Sequence, residues 1–91
     1  MADLYFSEEA NALIEELERT PSRRHLLGRL NTALDTLEAD PQDVRCRRRR
    51  FDTIGCWAIT VISSEGDWLI LWSERNELCT EVNVRAITPD P

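Results

Sequence analysis

The 91-residue chain has no lysine, one histidine, one methionine and three glycines. Each scarcity excludes something. His25 stands alone, and the three cysteines (Cys46, Cys56, Cys79) share no C-x-x-C spacing, so the chain has neither the ligand set of a zinc site nor the even count of a disulfide framework. Three reduced cysteines packing as small apolar groups are expected, with no metal and no cofactor. A lone histidine in the first turn of a predicted helix, with no nucleophile near it in sequence, reads as a packing or surface residue. No apolar run approaches the ~20 residues of a membrane helix, and no apolar stretch precedes a secretory cleavage site, so a cytoplasmic protein is expected. With no repeat and no linker, residues 1–91 make one domain with a single small core.

Charge is present but unevenly placed. Arg45, Arg47, Arg48, Arg49 and Arg50 put +5 into six residues of a chain whose net charge is −6, which leaves −11 for the remainder. That all eleven basic residues are arginine points to GC-rich bacterial coding rather than to chemistry. An acidic protein with one basic patch is a poor general nucleic-acid binder, because its long-range field repels phosphate. The patch still suits a local anion.

The apolar pattern centres on residues 55–72. Gly55-Cys-Trp-Ala-Ile-Thr-Val-Ile62 and Trp68-Leu-Ile-Leu-Trp72 are β-branched and aromatic runs flanking a polar, Gly-containing connection, Ser63–Asp67. They predict a hairpin from the middle of a sheet. The second strand is apolar on both parities, so at least one face needs a cover. Asp3–Phe6 reads as an opening strand. Ser7 then caps a helix with Glu8 and Glu9 at its positive end and a stripe of Ala10, Leu13, Ile14 and Leu17. Thr20-Pro21 ends it and starts a second helix, with Thr20 as cap. Leu26, Leu27, Leu30, Ala33, Leu34 and Leu37 share one face of that helix, which stops at Asp40-Pro41. This α-hairpin is the expected cover, placing Trp57, Ile59 and Val61 nearly fully buried against Leu13, Leu17, Leu30 and Leu34.

Val44–Phe51 is expected to be extended, with Arg45, Arg47 and Arg49 facing away from Val44 and Cys46. Arg48 and Arg50 fall on the apolar parity, so this strand must end, bulge or overrun the helices. After the hairpin come a polar turn, Ser73–Glu77, and a strand, Glu81–Ile87, with Val82, Val84 and Ala86 on one side and Arg85 on the other. Thr88–Pro91 reads as a frayed tail. The order β-α-α-β-β-β-β predicts the α+β class: a mainly antiparallel sheet of four or five strands with an α-helical hairpin packed on one face.

This layout is similar to that of the RelE/ParE superfamily of bacterial toxins, over nearly the whole chain. The likeness rests on Leu37-Glu-Ala-Asp-Pro41 closing the helices, the arginine strand, the Gly55–Trp57 strand start, Ile70-Leu-Trp72 and the following Arg75. It implies the toxin of a toxin–antitoxin pair, with an antitoxin wrapped around it. In the RelE branch it implies metal-free cleavage of messenger RNA in the ribosomal A site; the ParE branch poisons DNA gyrase. Carried across residue by residue, it implies catalytic roles for Arg47, Arg49 and Arg75. Arg45, Arg48, Arg50 and Arg85 are expected as binding residues, and the alternation of their strands is expected to bring Arg47, Arg49 and Arg85 together on the open face as one anion-binding surface.

The chain departs from the family pattern at Ala58, where an arginine is expected, and at Leu78, the residue nearest to the expected tyrosine or histidine. Its pI near 4.7 is also far below that of the basic toxins. Acid and base would fall to Glu74, Glu77 or Glu81. Each missing group of a positioned acid–base pair forfeits about 10²–10⁴ in rate, so weak or lost nuclease activity is expected. The alternative is a catalytically silent module of the same fold whose arginine strand binds an acidic protein segment. The blandest reading is an edge strand kept from aggregating by its charge.

Overall fold

A computed structural model describes residues 1–90. The chain opens with strand β1 (Asp3–Phe6) and enters helix α1 (Glu8–Glu18) at Ser7, whose hydroxyl accepts the Ala10 N–H at 3.1 Å. Ala10 and Leu17 are the fully buried part of the stripe. Thr20 is not a side-chain cap: its hydroxyl donates back to the Glu16 carbonyl at 2.8 Å, satisfying one of the orphan acceptors at the end of α1. Pro21–Arg23 forms a single 3-10 turn before helix α2 (Arg24–Ala39), which buries Leu26, Leu30, Leu34 and Leu37. Asp40, held extended ahead of Pro41, ends it (φ −159°). His25 lies exposed in the first turn. Neither helix is long and apolar enough to cross a membrane.

Four further strands follow: β2 (Arg49–Phe51), β3 (Cys56–Ser63), β4 (Gly66–Glu74) and β5 (Glu81–Pro89). With β1 they form one sheet in the order β1-β5-β4-β3-β2, antiparallel throughout except that β1 runs parallel to β5. The architecture is the expected α+β, with the helix pair over one face. Ser63 pairs with Gly66, so the β3–β4 turn holds only Ser64 and Glu65. The backbone of Gly66 at φ +102° makes so tight a reversal possible.

Several expectations shift once the chain is packed. Of Val44–Phe51 only the last three residues are strand; Val44–Cys46 is a 3-10 turn, capped by the Asp43 carboxylate accepting the Arg45 N–H at 2.8 Å. The buried Trp72 indole N–H fastens this turn by donating to the Cys46 carbonyl at 2.9 Å. Ala86 does not stay beside Val82 and Val84. The β4–β5 register slips between Leu71 and Trp72, so Trp72 faces Val84 and Leu71 faces Ala86, leaving Arg85 as the extra residue of a bulge. Ile87 therefore takes the place of Ala86 under the helices, 8% exposed. Thr88 and Pro89 belong to β5, and the Asp90 N–H donates to the Asp67 carbonyl at 2.9 Å, so this segment is not frayed; Pro91 lies outside the described residues.

The main core joins Leu17, Leu26, Leu30 and Leu37 to Ile59, Val61, Ile70, Trp72, Val82 and Val84. Trp57 is half-buried rather than nearly fully buried. It sits at the margin of this core, stacked on Trp72 with ring centroids 6.5 Å apart, and arginines rather than leucines cover its outer side. Cys56, Ala58 and Leu69 are buried on the opposite face, where Thr60 remains exposed.

Candidate functional site

The arginine run splits into two environments. Arg47 turns in toward the tryptophans. Its guanidinium carbon lies 5.1 Å from the Trp57 ring centroid and 5.3 Å from that of Trp72. Its Nε donates to the Pro41 carbonyl at 2.9 Å, one Nη to Cys79 Sγ at 3.4 Å, and the other pairs with Glu74 at 3.2 Å. Glu74 also accepts the Trp57 indole N–H at 3.0 Å, and Arg50 lies over the outer face of Trp57 at 4.8 Å. Burial pushes the Glu74 carboxyl up, but its own backbone N–H, the Trp57 indole and the charges of Arg47 and Arg50 outweigh that and hold it below the usual range. A cleft of about 760 Å³ opens over this cluster, lined by Gln42, Arg47, Glu74, Arg75, Asn76, Glu77 and Cys79.

The second environment is a groove of about 590 Å³ between α2 and the free edge of β3. It exists because β2 is only three residues long and pairs with Cys56–Ala58, leaving β3 uncovered from Ile59 onward. Arg29, Arg45, Arg48 and Arg49 rim it, and Ala33, Ile59 and Val61 provide apolar walls. Backbone groups alternate along an antiparallel strand, so Thr60 and Ile62 aim theirs at the groove as Ala58 does at Arg49. Arg29 Nε caps the Ile62 carbonyl at 3.0 Å. The Thr60 N–H and C=O and the Ile62 N–H have no protein partner among the described residues.

The predicted residues are not brought together as one site. Arg47 and Arg75 share the cleft, but Arg49 points elsewhere, pairing with Asp90 at 2.9 Å and lying over Phe51. Arg75 stacks on the Tyr5 ring at 4.1 Å. Arg45 is held by Asp43 through two hydrogen bonds, of 3.1 and 2.8 Å, which pull the Asp43 carboxyl down to about 2. Arg50 pairs with Asp52 at 3.2 Å. Arg85, on its bulge, and Arg48 are exposed and have no ion-pair partner among the described residues. The convergence expected of Arg47, Arg49 and Arg85 does not occur: Arg47 and Arg49 are anchored in different clusters, and Arg85 belongs to neither.

No family model, curated protein or solved structure matches this chain. Glu74 is a poor general base, since its pKa is lowered and Arg47 and Trp57 already engage it. Glu81 accepts the Tyr5 hydroxyl at 2.9 Å, which leaves Glu77 as the exposed carboxylate of the cleft. Among the described residues no group of three or more His, Cys, Asp or Glu side chains is placed to hold a metal ion. Sequence reasoning missed Arg29, which lies within a helix 16 residues ahead of the arginine run. It also missed the uncovered edge of β3, whose only trace in sequence is the shortness of the strand-forming stretch before Asp52.

Proposed function

We propose that this protein is a RelE/ParE-like protein of the bacterial cytoplasm that acts by binding rather than by cutting RNA, and that the α2–β3 groove takes an acidic protein segment, as an antitoxin would supply. The observation that carries this reading is the state of the arginines. Of the three arginines implied to act in catalysis, Arg47 and Arg49 are already engaged by carboxylates and a carbonyl within the protein and Arg75 is stacked on Tyr5, whereas Arg48 and the outer nitrogens of Arg29 stand open beside unpaired backbone. A carboxylate-bearing segment suits that rim, and the local positive charge would select it against the protein's overall −6.

The test pairs a binding and a cleavage measurement. A synthetic extended peptide alternating glutamate with valine should bind the wild type and lose about tenfold or more in affinity to an Arg45→Glu, Arg48→Glu variant. Inducible expression should give no A-site cuts in messenger RNA. Robust cutting that disappears in an Arg47→Ala, Arg49→Ala, Arg75→Ala variant would restore the nuclease reading and overturn this one.

A further inference from the structure

The sheet has a second open edge, of opposite charge. On β1 the Asp3 N–H donates to Thr80 and the Ser7 N–H to Val84, so alternation turns the backbone groups of Leu4 and Phe6 outward. A cleft of about 410 Å³ beside them is lined by Asp3, Asp35 and Glu38, with Leu4, Phe6 and Leu34 as its apolar part. One flank of α2 is thus acidic above β1, and its other flank carries Arg29 above β3.

We propose that the β1 edge of one copy docks into the α2–β3 groove of the next, continuing the sheet from molecule to molecule. Strand direction permits it: β1 is parallel to β5, and β5 and β3 are both antiparallel to β4, so a translated copy presents β1 parallel to β3 with both helix layers on the same side. A register that clears Arg49, which already pairs with Ala58, satisfies parity and hydrogen bonding together. With Tyr5 of a second copy opposite Ile62, the Thr60 N–H donates to the Ala2 carbonyl, the Leu4 N–H to the Thr60 carbonyl, and the Ile62 N–H to the Leu4 carbonyl. The Phe6 N–H meets the second lone pair of the Ile62 carbonyl, whose other is held by Arg29. Leu4, which lies beside Val82 on the helix side of its own sheet, then falls beside Val61 on the helix side of the neighbour, and Phe6 beside Ser63.

Charge selects this arrangement. Asp3, Asp35 and Glu38 of one copy approach Arg29, Arg45 and Arg48 of the other, whereas two grooves facing each other would set arginine against arginine. The contact is head-to-tail, so it extends into open chains instead of closing as a dimer. It uses the same groove as the acidic-segment reading, with a second copy as occupant.

Sedimentation velocity on the full chain up to about 1 mM tests it. Species larger than a dimer should grow with concentration. Thr60→Pro removes an outward-facing N–H that an edge strand tolerates losing, and Asp35→Arg with Glu38→Arg reverses the acidic edge; each should weaken association about tenfold or more. Mixing these two variants should form a 1:1 pair and nothing larger, since each retains the edge the other lacks. Circular dichroism checks the fold, and Arg48→Glu replaces Thr60→Pro if the proline unfolds the strand. A wild type that stays monomeric, a closed dimer, or variants that fail to recombine would overturn the proposal. Should a monomeric wild type still bind the acidic peptide, this inference alone fails and the binding reading stands.

Discussion

Replacing Arg47 by alanine should cost stability, because the side chain is a fastener before it is a charge. Its bond to the Pro41 carbonyl is a charged hydrogen bond worth about 1.5–3 kcal/mol. Each guanidinium–tryptophan contact contributes about 0.5–1 kcal/mol. With side chains 24% and 32% exposed, the ion pair to Glu74 adds no more than about 1 kcal/mol. Against these stands about 2 kcal/mol of rotamer freedom recovered when the long side chain is removed. A net loss of about 2 kcal/mol is expected, or roughly 10 °C in Tm for a domain of this size. Arg48→Ala, which removes an exposed arginine with no ion-pair partner among the described residues, should stay within about 0.5 kcal/mol. Urea titrations of both variants followed by tryptophan fluorescence measure the difference. If Arg47→Ala proves as harmless as Arg48→Ala, Arg47 is not structural, and its case as an anion clamp revives.

Trp72→Phe should cost about 1–3 kcal/mol for the orphaned Cys46 carbonyl, plus the packing lost from a fully buried ring, again read by urea unfolding. Thiol labelling under native conditions should modify Cys79 quickly and spare Cys46 and Cys56. Both of the latter are buried, and burial also pushes the Cys46 thiol up to about 11; fast labelling of Cys46 would contradict its place in the core. NMR titration of Asp43 should give a midpoint of about 2, below the ordinary 3.8. Because the folded pKa is the lower one, the stabilisation by Arg45 is complete above about pH 4 and fades as pH falls through 2; a midpoint near 3.8 would mean that the pair does not persist in solution.

The local elements were legible in the sequence because their causes are local. Ser7 caps α1 through a hydroxyl three residues from its donor, Pro41 stops α2 through its own ring, and the run Trp68–Trp72 is apolar on both parities because β4 lies at the centre of the sheet. From these the α+β class and the order of elements follow. What the sequence left open depends on partners distant along the chain. Val44–Cys46 forms a turn instead of strand because the Trp72 indole, 26 residues on, takes the Cys46 carbonyl. Ala86 changes face because the register slip between Leu71 and Trp72 leaves Arg85 bulged on the paired strand. The five charges within residues 45–50 look like one site in sequence, yet Pro41, Asp43, Asp52, Glu74 and Asp90 draw four of those arginines in separate directions. Only the tertiary structure decided which guanidiniums remain to meet a partner, since an arginine's reach is long enough for its nearest carboxylate or carbonyl in space, rather than its neighbours in sequence, to settle where its charge resides.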